Sequence, residues 1–253
     1  MNYIVEKPAK VATGHILLTI NTDFTSSMPG QFVNIRTTAG SDPLIRRPFS
    51  IFNQDNSTIE LVIKVIGRGT RLISRFEEGP VDMLAPLGRG FSIIEGGHAL
   101  LVGGGVGNAP LFYLARKLRQ AGNRVTCIYG ARSEEYIYLE DRYRKEVDEL
   151  IVATDDGSRG KKGFVTTFAE EILNDNGQVD MVYTCGPTPM MSSLSAICKN
   201  MKVPVEVSLE NYFGCGIGLC SGCTVETSDG QKRACVDGPV MDGASILWES
   251  VRD

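Results

Sequence analysis

The chain has 253 residues, 42% hydrophobic and 22% charged, with a formal net charge of −4. That length holds two ordinary domains, or two plus a small appendage, and the acidic balance excludes a general nucleic-acid binder, which needs a basic excess against phosphates. No run approaches the roughly 18 apolar residues of a membrane span, and the opening Met1-Asn2-Tyr3-Ile4-Val5-Glu6-Lys7 lacks the apolar stretch of a secretory signal, so a cytoplasmic protein with no membrane partner is expected.

In chain order, residues 1–96 read as antiparallel β. Short apolar runs recur between turn signals, at 15–20, 31–36 after the turn Met28-Pro29-Gly30, 49–52, 59–65 and 81–84. Strands at such spacing make a sandwich or a barrel. A short helix is expected over 70–76, with Leu72, Ile73 and Phe76 on one side.

The pattern changes near residue 97. Ala99-Leu100-Leu101-Val102, bounded by glycines, reads as a buried parallel strand. A glycine loop follows, and then Leu111, Leu114, Ala115 and Leu118 mark one helical face, with Pro110 in the first turn where its missing N–H costs nothing. Further strands fit 124–129, 150–153, 181–184 and 203–207, with helices near 166–173 and 189–200. Alternating strand and helix over 97–206 means a doubly wound parallel sheet.

Residues 207–253 are dense in Gly and Cys and show little periodicity, and so short a segment needs a staple to fold. Four of the chain's seven cysteines, Cys215, Cys220, Cys223 and Cys235, fall here. Clustered cysteines in a chain of this class point to a metal centre rather than a disulfide scaffold. The spacing C-x4-C-x2-C with a more distant fourth cysteine is the plant-type arrangement for a [2Fe–2S] cluster. Gly214, Gly216, Gly218 and Gly222 let the loop turn sharply and aim N–H groups at the sulfurs. A structural zinc site is the alternative, but zinc prefers two close cysteine pairs and only one is present. The expected class is therefore a multidomain α+β protein: an antiparallel β domain, a doubly wound α/β domain and a small [2Fe–2S] domain.

Other motifs suit nucleotides. Gly103-Gly104-Gly105-Val106-Gly107 before Pro110 stands between a strand and a helix, as a phosphate cradle would. It does not match G-x-G-x-x-G, and no acidic residue closes the following strand to hold a ribose. Arg132 could instead meet a 2′-phosphate, so NAD and NADP both stay open. Arg46-Arg47-Pro48-Phe49-Ser50 offers a permanent cation to a pyrophosphate, and Lys64-Val65-Ile66-Gly67-Arg68-Gly69-Thr70 ends in Gly-Thr before the short helix. Cys185-Gly186-Pro187 and Asp155-Asp156 each follow a strand, at the carboxyl end where α/β ligands bind; the Cys185 thiol could touch a nicotinamide, the aspartates a ribose. His15 and His98 look isolated, and no hydrolytic constellation is visible.

Taken in order, these motifs resemble the ferredoxin-NADP reductase superfamily, in which R-x-[YF]-S and G-x-G-T bind FAD on a β-barrel, and G-G-x-G-x-x-P and C-G-P bind the nicotinamide nucleotide. The matching residues are Arg47-Pro48-Phe49-Ser50, Gly67-Arg68-Gly69-Thr70, 104–110 and Cys185-Gly186-Pro187. With the four cysteines, Arg233-Ala234-Cys235-Val236-Asp237-Gly238-Pro239 and 153–158, the chain is similar to electron-transfer subunits of type B dihydroorotate dehydrogenases. That resemblance implies an FAD-binding β-barrel over 1–96, an NAD-binding domain over 97–206 and a cluster domain over 207–253. It implies NAD rather than NADP, with Cys185 at the hydride-transfer site. It also implies an FMN-containing catalytic partner in a heterotetramer of two plus two, and electrons passing from that FMN through the cluster and FAD to NAD⁺. The NADP-binding subunit of a ferredoxin-dependent or sulfide-linked reductase shares the same module order and is the alternative.

Overall fold

The protein is described by a computed structural model over residues 3–40, 42–175 and 178–251. In the N-terminal part, His15–Asn21 and Thr58–Lys64 run antiparallel. Their register sets Ile16 against Ile63, Leu18 against Leu61 and Ile20 against Ile59. All six point inward and are buried, as strict alternation on a one-sided sheet demands. Among the described residues this pair sits in a six-stranded sheet, faced by a three-stranded sheet of Arg47–Ser50, Phe32–Ile35 and Met83–Leu87. One core, including Val33, Ile35, Ile51 and Ile73, fills the space between them, so the expected barrel takes the form of two sheets wrapped on a shared interior.

The second part is a seven-stranded sheet. Its first strand, His98–Gly104, lies centrally, with Arg124–Ala131, Glu149–Thr154 and Lys161–Lys162 on one side and Met181–Cys185 and Val205–Ser208 on the other. The chain thus reverses its direction of winding at His98–Gly104, and the crevice beyond the carboxyl ends there is where such sheets bind ligands. The register aligns Gly103 with Cys185, so the glycine loop and Cys185-Gly186-Pro187 emerge side by side. Helix Asn108–Gln120 covers one face, and Val165–Asn174 with Thr188–Met201 the other.

Phe112 of the first of these helices stacks on Phe52 of the N-terminal part, ring centroids 4.4 Å apart. Arg142 clamps Glu60 through two nitrogens, at 2.9 and 2.5 Å. The C-terminal segment folds as a hairpin, Thr224–Thr227 with Gly230–Arg233, followed by Val240–Asp242, which joins the large sheet antiparallel to Val205–Ser208. Cys223, Val225, Ala234 and Cys235 belong to the same apolar cluster as Val205, Val207 and Met191. No described helix is long and apolar enough to cross a membrane.

Several elements differ from expectation. The helix expected over 70–76 begins earlier, at Arg68–Ile73, because the Thr70 hydroxyl accepts from the Ile66 and Gly67 N–H groups at 3.0 and 3.1 Å and closes the first turn. The strand expected at 49–52 is paired over Arg47–Ser50. Helix Glu140–Glu146 was not expected, since Tyr143 is its only buried residue and its other positions are charged.

Candidate functional site

A cleft of about 540 Å³ lies where all three parts of the chain meet. The first part contributes Arg47–Ser50, Lys64, Ile66 and Thr70, the second Val106, Ala109 and Pro110, and the last residues 209–213. Arg47 donates to the carbonyl oxygens of Ile45 and Arg46 and meets no carboxylate among the described residues. Arg46, by contrast, is held by Asp82 at 2.8 and 2.9 Å. Arg47 therefore brings an unneutralised guanidinium to the wall, beside the Lys64 ammonium, suited to an anionic phosphate. A Cβ on Gly69 would lie 2.6 Å from Arg47 Nε, so glycine is what lets the guanidinium rest on the helix start. Thr70 also donates to the Gly67 carbonyl oxygen at 3.1 Å, which fixes the loop. Val65 turns toward the barrel core instead of the cleft. A largely apolar trough with an unneutralised arginine in its wall fits a dinucleotide flavin.

A second cleft, of about 720 Å³, opens at the carboxyl ends of the large sheet. Gly104, Gly105, Arg132, Asp155 and Pro187 line it, and it shares Lys64 with the first cleft. Gly103 and Gly107 do not line it; they permit it. A Cβ on Gly107 would lie 2.5 Å from the Cys185 carbonyl carbon and oxygen, and one on Gly103 2.1 Å from Asn108 Oδ1. Asn108 Nδ2 donates to the Gly105 and Gly130 carbonyl oxygens at 2.8 and 3.0 Å, and the Tyr138 hydroxyl donates to those of Gly105 and Val106. The loop is thus held rigid at the start of helix Asn108–Gln120, where N–H groups and the helix dipole favour phosphate. Asp156 points to solvent and accepts from the Ser158 N–H and hydroxyl at 2.9 and 2.6 Å; those bonds hold its carboxyl below the usual range.

Cys185 ends its strand with 1% of its surface exposed and lines neither cleft. Burial pushes its thiol far above the ordinary range. What reaches the cleft from Cys185-Gly186-Pro187 is Pro187. The second cleft also contains His15, Tyr136 and Phe164, for which the sequence carries no motif. His15 comes in because it stands opposite Lys64 in the barrel.

The four cysteines of the last segment meet on one loop and the base of the hairpin. Cys223 and Cys235 are buried, Cys215 half-buried and Cys220 exposed. Backbone N–H groups converge on the sulfurs: those of Leu219, Ile217 and Cys220 on Cys215 Sγ at 3.3, 3.5 and 3.5 Å, Gly218 on Cys235 Sγ at 3.2 Å and Cys235 on Cys223 Sγ at 3.4 Å. Burial works to raise the Cys215 thiol, but the N–H groups of Ile217, Cys220 and Leu219 outweigh it and bring it down to about 6. Positive φ at Gly216, Gly218 and Ser221 makes this convergence possible. Cys220 bears on the Cys215 thiol, and both Cys223 and Cys215 bear on that of Cys235. Among the described residues no three Cys, His, Asp or Glu side chains close on one point as a single ion requires. Four thiols under a canopy of backbone N–H donors fit an iron–sulfur cluster, whose sulfurs take such hydrogen bonds.

Known proteins agree with this geometry. Residues 210–247 match the iron–sulfur cluster binding domain of dihydroorotate dehydrogenase B, and residues 101–196 the oxidoreductase NAD-binding domain. The chain is 39% identical to the electron transfer subunit of dihydroorotate dehydrogenase B (NAD(+)) of Desulforamulus reducens, over 88% of each chain. It is 37% identical to that of Bacillus mycoides, over 97% of this chain and 98% of the relative. Among solved structures, one of the NADH-dependent reduced ferredoxin-NADP oxidoreductase superposes with a TM-score of 0.88 at 33% identity, covering 99% of this chain and 91% of that one. A ferredoxin NADP⁺ reductase from Neisseria gonorrhoeae with bound FAD and NADP shares the fold alone, at 17% identity and a TM-score of 0.66 over 79% of this chain and 91% of that one. By identity and by coverage, the chain belongs to the family of electron transfer subunits of dihydroorotate dehydrogenase B (NAD(+)).

Proposed function

We propose that the chain relays electrons from the FMN of a dihydroorotate-oxidising partner, through a [2Fe–2S] cluster and FAD, to NAD⁺ in pyrimidine biosynthesis. The observation that carries this reading is the first cleft, whose wall is drawn from the barrel, the glycine loop and residues 209–213 beside the cluster loop. A flavin held there would lie between the glycine loop and the cluster segment. When bound, it exchanges a hydride with the nicotinamide and single electrons with the cluster, which is chemistry no side chain supplies.

The chain's own residues bind and orient. Arg47 and the Thr70-closed loop face the flavin's diphosphate, with Pro48, Phe49, Ser50, Lys64 and Ile66 along its length; Val65 and Gly69 support them from behind. Gly104, Gly105 and Pro187 face the dinucleotide, with Asp155 toward a ribose. Gly103, Gly107, Gly186 and Asp156 shape that wall, and Cys185 serves it through the backbone on which Gly107 packs. Cys215, Cys220, Cys223 and Cys235 hold the cluster. The domains are taken as 1–96, 97–206 and 207–253, the assembly as two of these chains with two catalytic subunits, and the location as the cytoplasm.

The likeness to the NADH-dependent reduced ferredoxin-NADP oxidoreductase supports a second reading, a nucleotide-binding subunit of a ferredoxin-linked reductase. Purified protein is expected to carry flavin and iron and to be bleached by NADH. Assembled with an FMN-bearing partner it is expected to reduce NAD⁺ with dihydroorotate. A clear preference for NADPH, or electron exchange with ferredoxin but not with that partner, would favour the second reading.

A further inference from the structure

Asn34 stands where the flavin-binding strands meet the cluster loop. It lies in Phe32–Ile35, directly opposite Pro48 of Arg47–Ser50, and none of its surface is exposed. Its Nδ2 donates to the Cys215 carbonyl oxygen at 3.1 Å, joining segments 181 residues apart in sequence. The next residue, Gly216, approaches so closely that a Cβ there would lie 2.6 Å from Asn34 Nδ2 and 3.6 Å from Phe32 Cε2. Phe32 in turn lines the flavin cleft, and its ring centroid is 5.0 Å from that of Phe213. Asn34 Oδ1 has no hydrogen-bond partner among the described residues. A bare buried acceptor costs stability, so packing alone does not account for an amide at this position.

We propose that Asn34 is a positioning residue for electron transfer: by holding the Cys215 carbonyl it fixes the first cluster ligand against the flavin-binding strands and sets the rate at which electrons cross between cluster and flavin. The proposal rests on the relay reading above. The route it defines is short, from the strand Arg47–Ser50 across one ladder to Asn34, then through one hydrogen bond to Cys215. Each crossing would move one electron and change one iron between ferric and ferrous. A two-iron cluster holds one such electron, so the two electrons of one hydride would cross in turn, the partner's FMN recharging or discharging the cluster between them and the accompanying proton exchanging with solvent.

The test uses the full chain with its cofactors and the variants Asn34→Leu and Asn34→Ala. Oxidised protein is mixed with NADH without oxygen, flavin and cluster bleaching are followed separately, and the electron paramagnetic resonance spectrum of the reduced cluster is recorded. Flavin content, iron content and the rate of flavin bleaching are expected to match the parent. Cluster reduction is expected to slow on the order of 10- to 100-fold, the usual cost of losing an outer partner of a metal ligand, with a changed resonance line shape. Cluster reduction at the parent rate with an unchanged spectrum would overturn the proposal. So would loss of both iron and flavin in both variants, which would make Asn34 a structural residue only. Failure of the relay reading looks different: the parent protein itself would lack flavin or iron, or ignore NADH.

Discussion

At Gly107 the backbone is an ordinary helical one, with φ of −62°, so conformational freedom does not explain the glycine. Contact does, because the atoms a Cβ would meet at 2.5 and 2.6 Å are all backbone of Cys185 and Gly186 and cannot rotate away. Gly107→Ala is expected to lower stability by about 1–3 kcal/mol, as overpacking does, and to weaken NADH binding while flavin is retained. Titration of NADH binding beside flavin absorbance checks both. Gly105 is the opposite case, with φ of +57° and nothing within 4 Å of a Cβ, so alanine there pays only the left-handed penalty of about 1–2 kcal/mol. The motif spelling does not distinguish these two glycines. His15 was also illegible, since a lone histidine at a strand start carries no signal. Its Nδ1 lies 2.8 Å from the Thr13 carbonyl oxygen, and burial, with some repulsion from Lys64, lowers its pKa; burial and Arg124 lower that of His98. The unfolded chain therefore binds more protons than the native one near pH 6, and the histidines' contribution to stability is full above about pH 6.5 and lost as pH falls below it. Thermal midpoints are expected to drop on acidification through that window, and His15→Phe to flatten the drop. An unchanged slope in the variant would remove His15 from this account.

Among elements, those read correctly are the ones whose burial is one-sided and periodic. His15–Asn21 and Thr58–Lys64 alternate because one face meets the core, and Asn108–Gln120 shows its apolar stripe. Those missed bury little of their own. Helix Glu140–Glu146 buries one residue, and in the hairpin Thr224–Thr227 buries only Val225 and Thr227 while Gly230–Arg233 buries none. The hairpin's role is to bring Cys223 and Cys235 together, since Thr224 pairs with Arg233 and the Ala234 N–H donates to the Cys223 carbonyl oxygen at 3.0 Å. Cys223→Ser is expected to abolish the cluster, seen as lost iron and lost cluster absorbance, and with it electron exchange through that end. Electron transfer from NADH to a dye through the flavin should persist near the parent level. Equal loss of both activities would mean that the hairpin, through the apolar cluster it shares with Phe32 and Leu209, also supports the flavin cleft.

For the whole molecule, the sequence identifies three modules but not how they are joined. Val240–Asp242 adds an edge to the seven-stranded sheet, Arg89 bridges to Pro239 and residues 209–213 wall the first cleft; each contact is long-range and none leaves a local pattern. The joined arrangement leaves the cluster loop at the surface. Cys220 is exposed, and beside it Leu219 shows 80% and Ile217 44% of their surface. Apolar side chains at the tip of a loop held rigid by its own N–H···S bonds are costly in water, and they stand beside Cys220, the most exposed of the four cysteines. Burying one leucine contributes about 1.5–3 kcal/mol, and a carboxylate buried in its place would be unpaired. Leu219→Asp is therefore expected to weaken assembly with the catalytic partner on the order of 10- to 100-fold or more, since each 1.4 kcal/mol is tenfold in affinity. Iron content and NADH-to-dye transfer in the isolated chain should stay unchanged, because Leu219 contributes only its backbone N–H to the sulfurs. Sedimentation of the mixed subunits reads the first effect and the visible spectrum the second. Assembly at parental affinity would place the partner on another face and leave the exposed leucine without a role in docking.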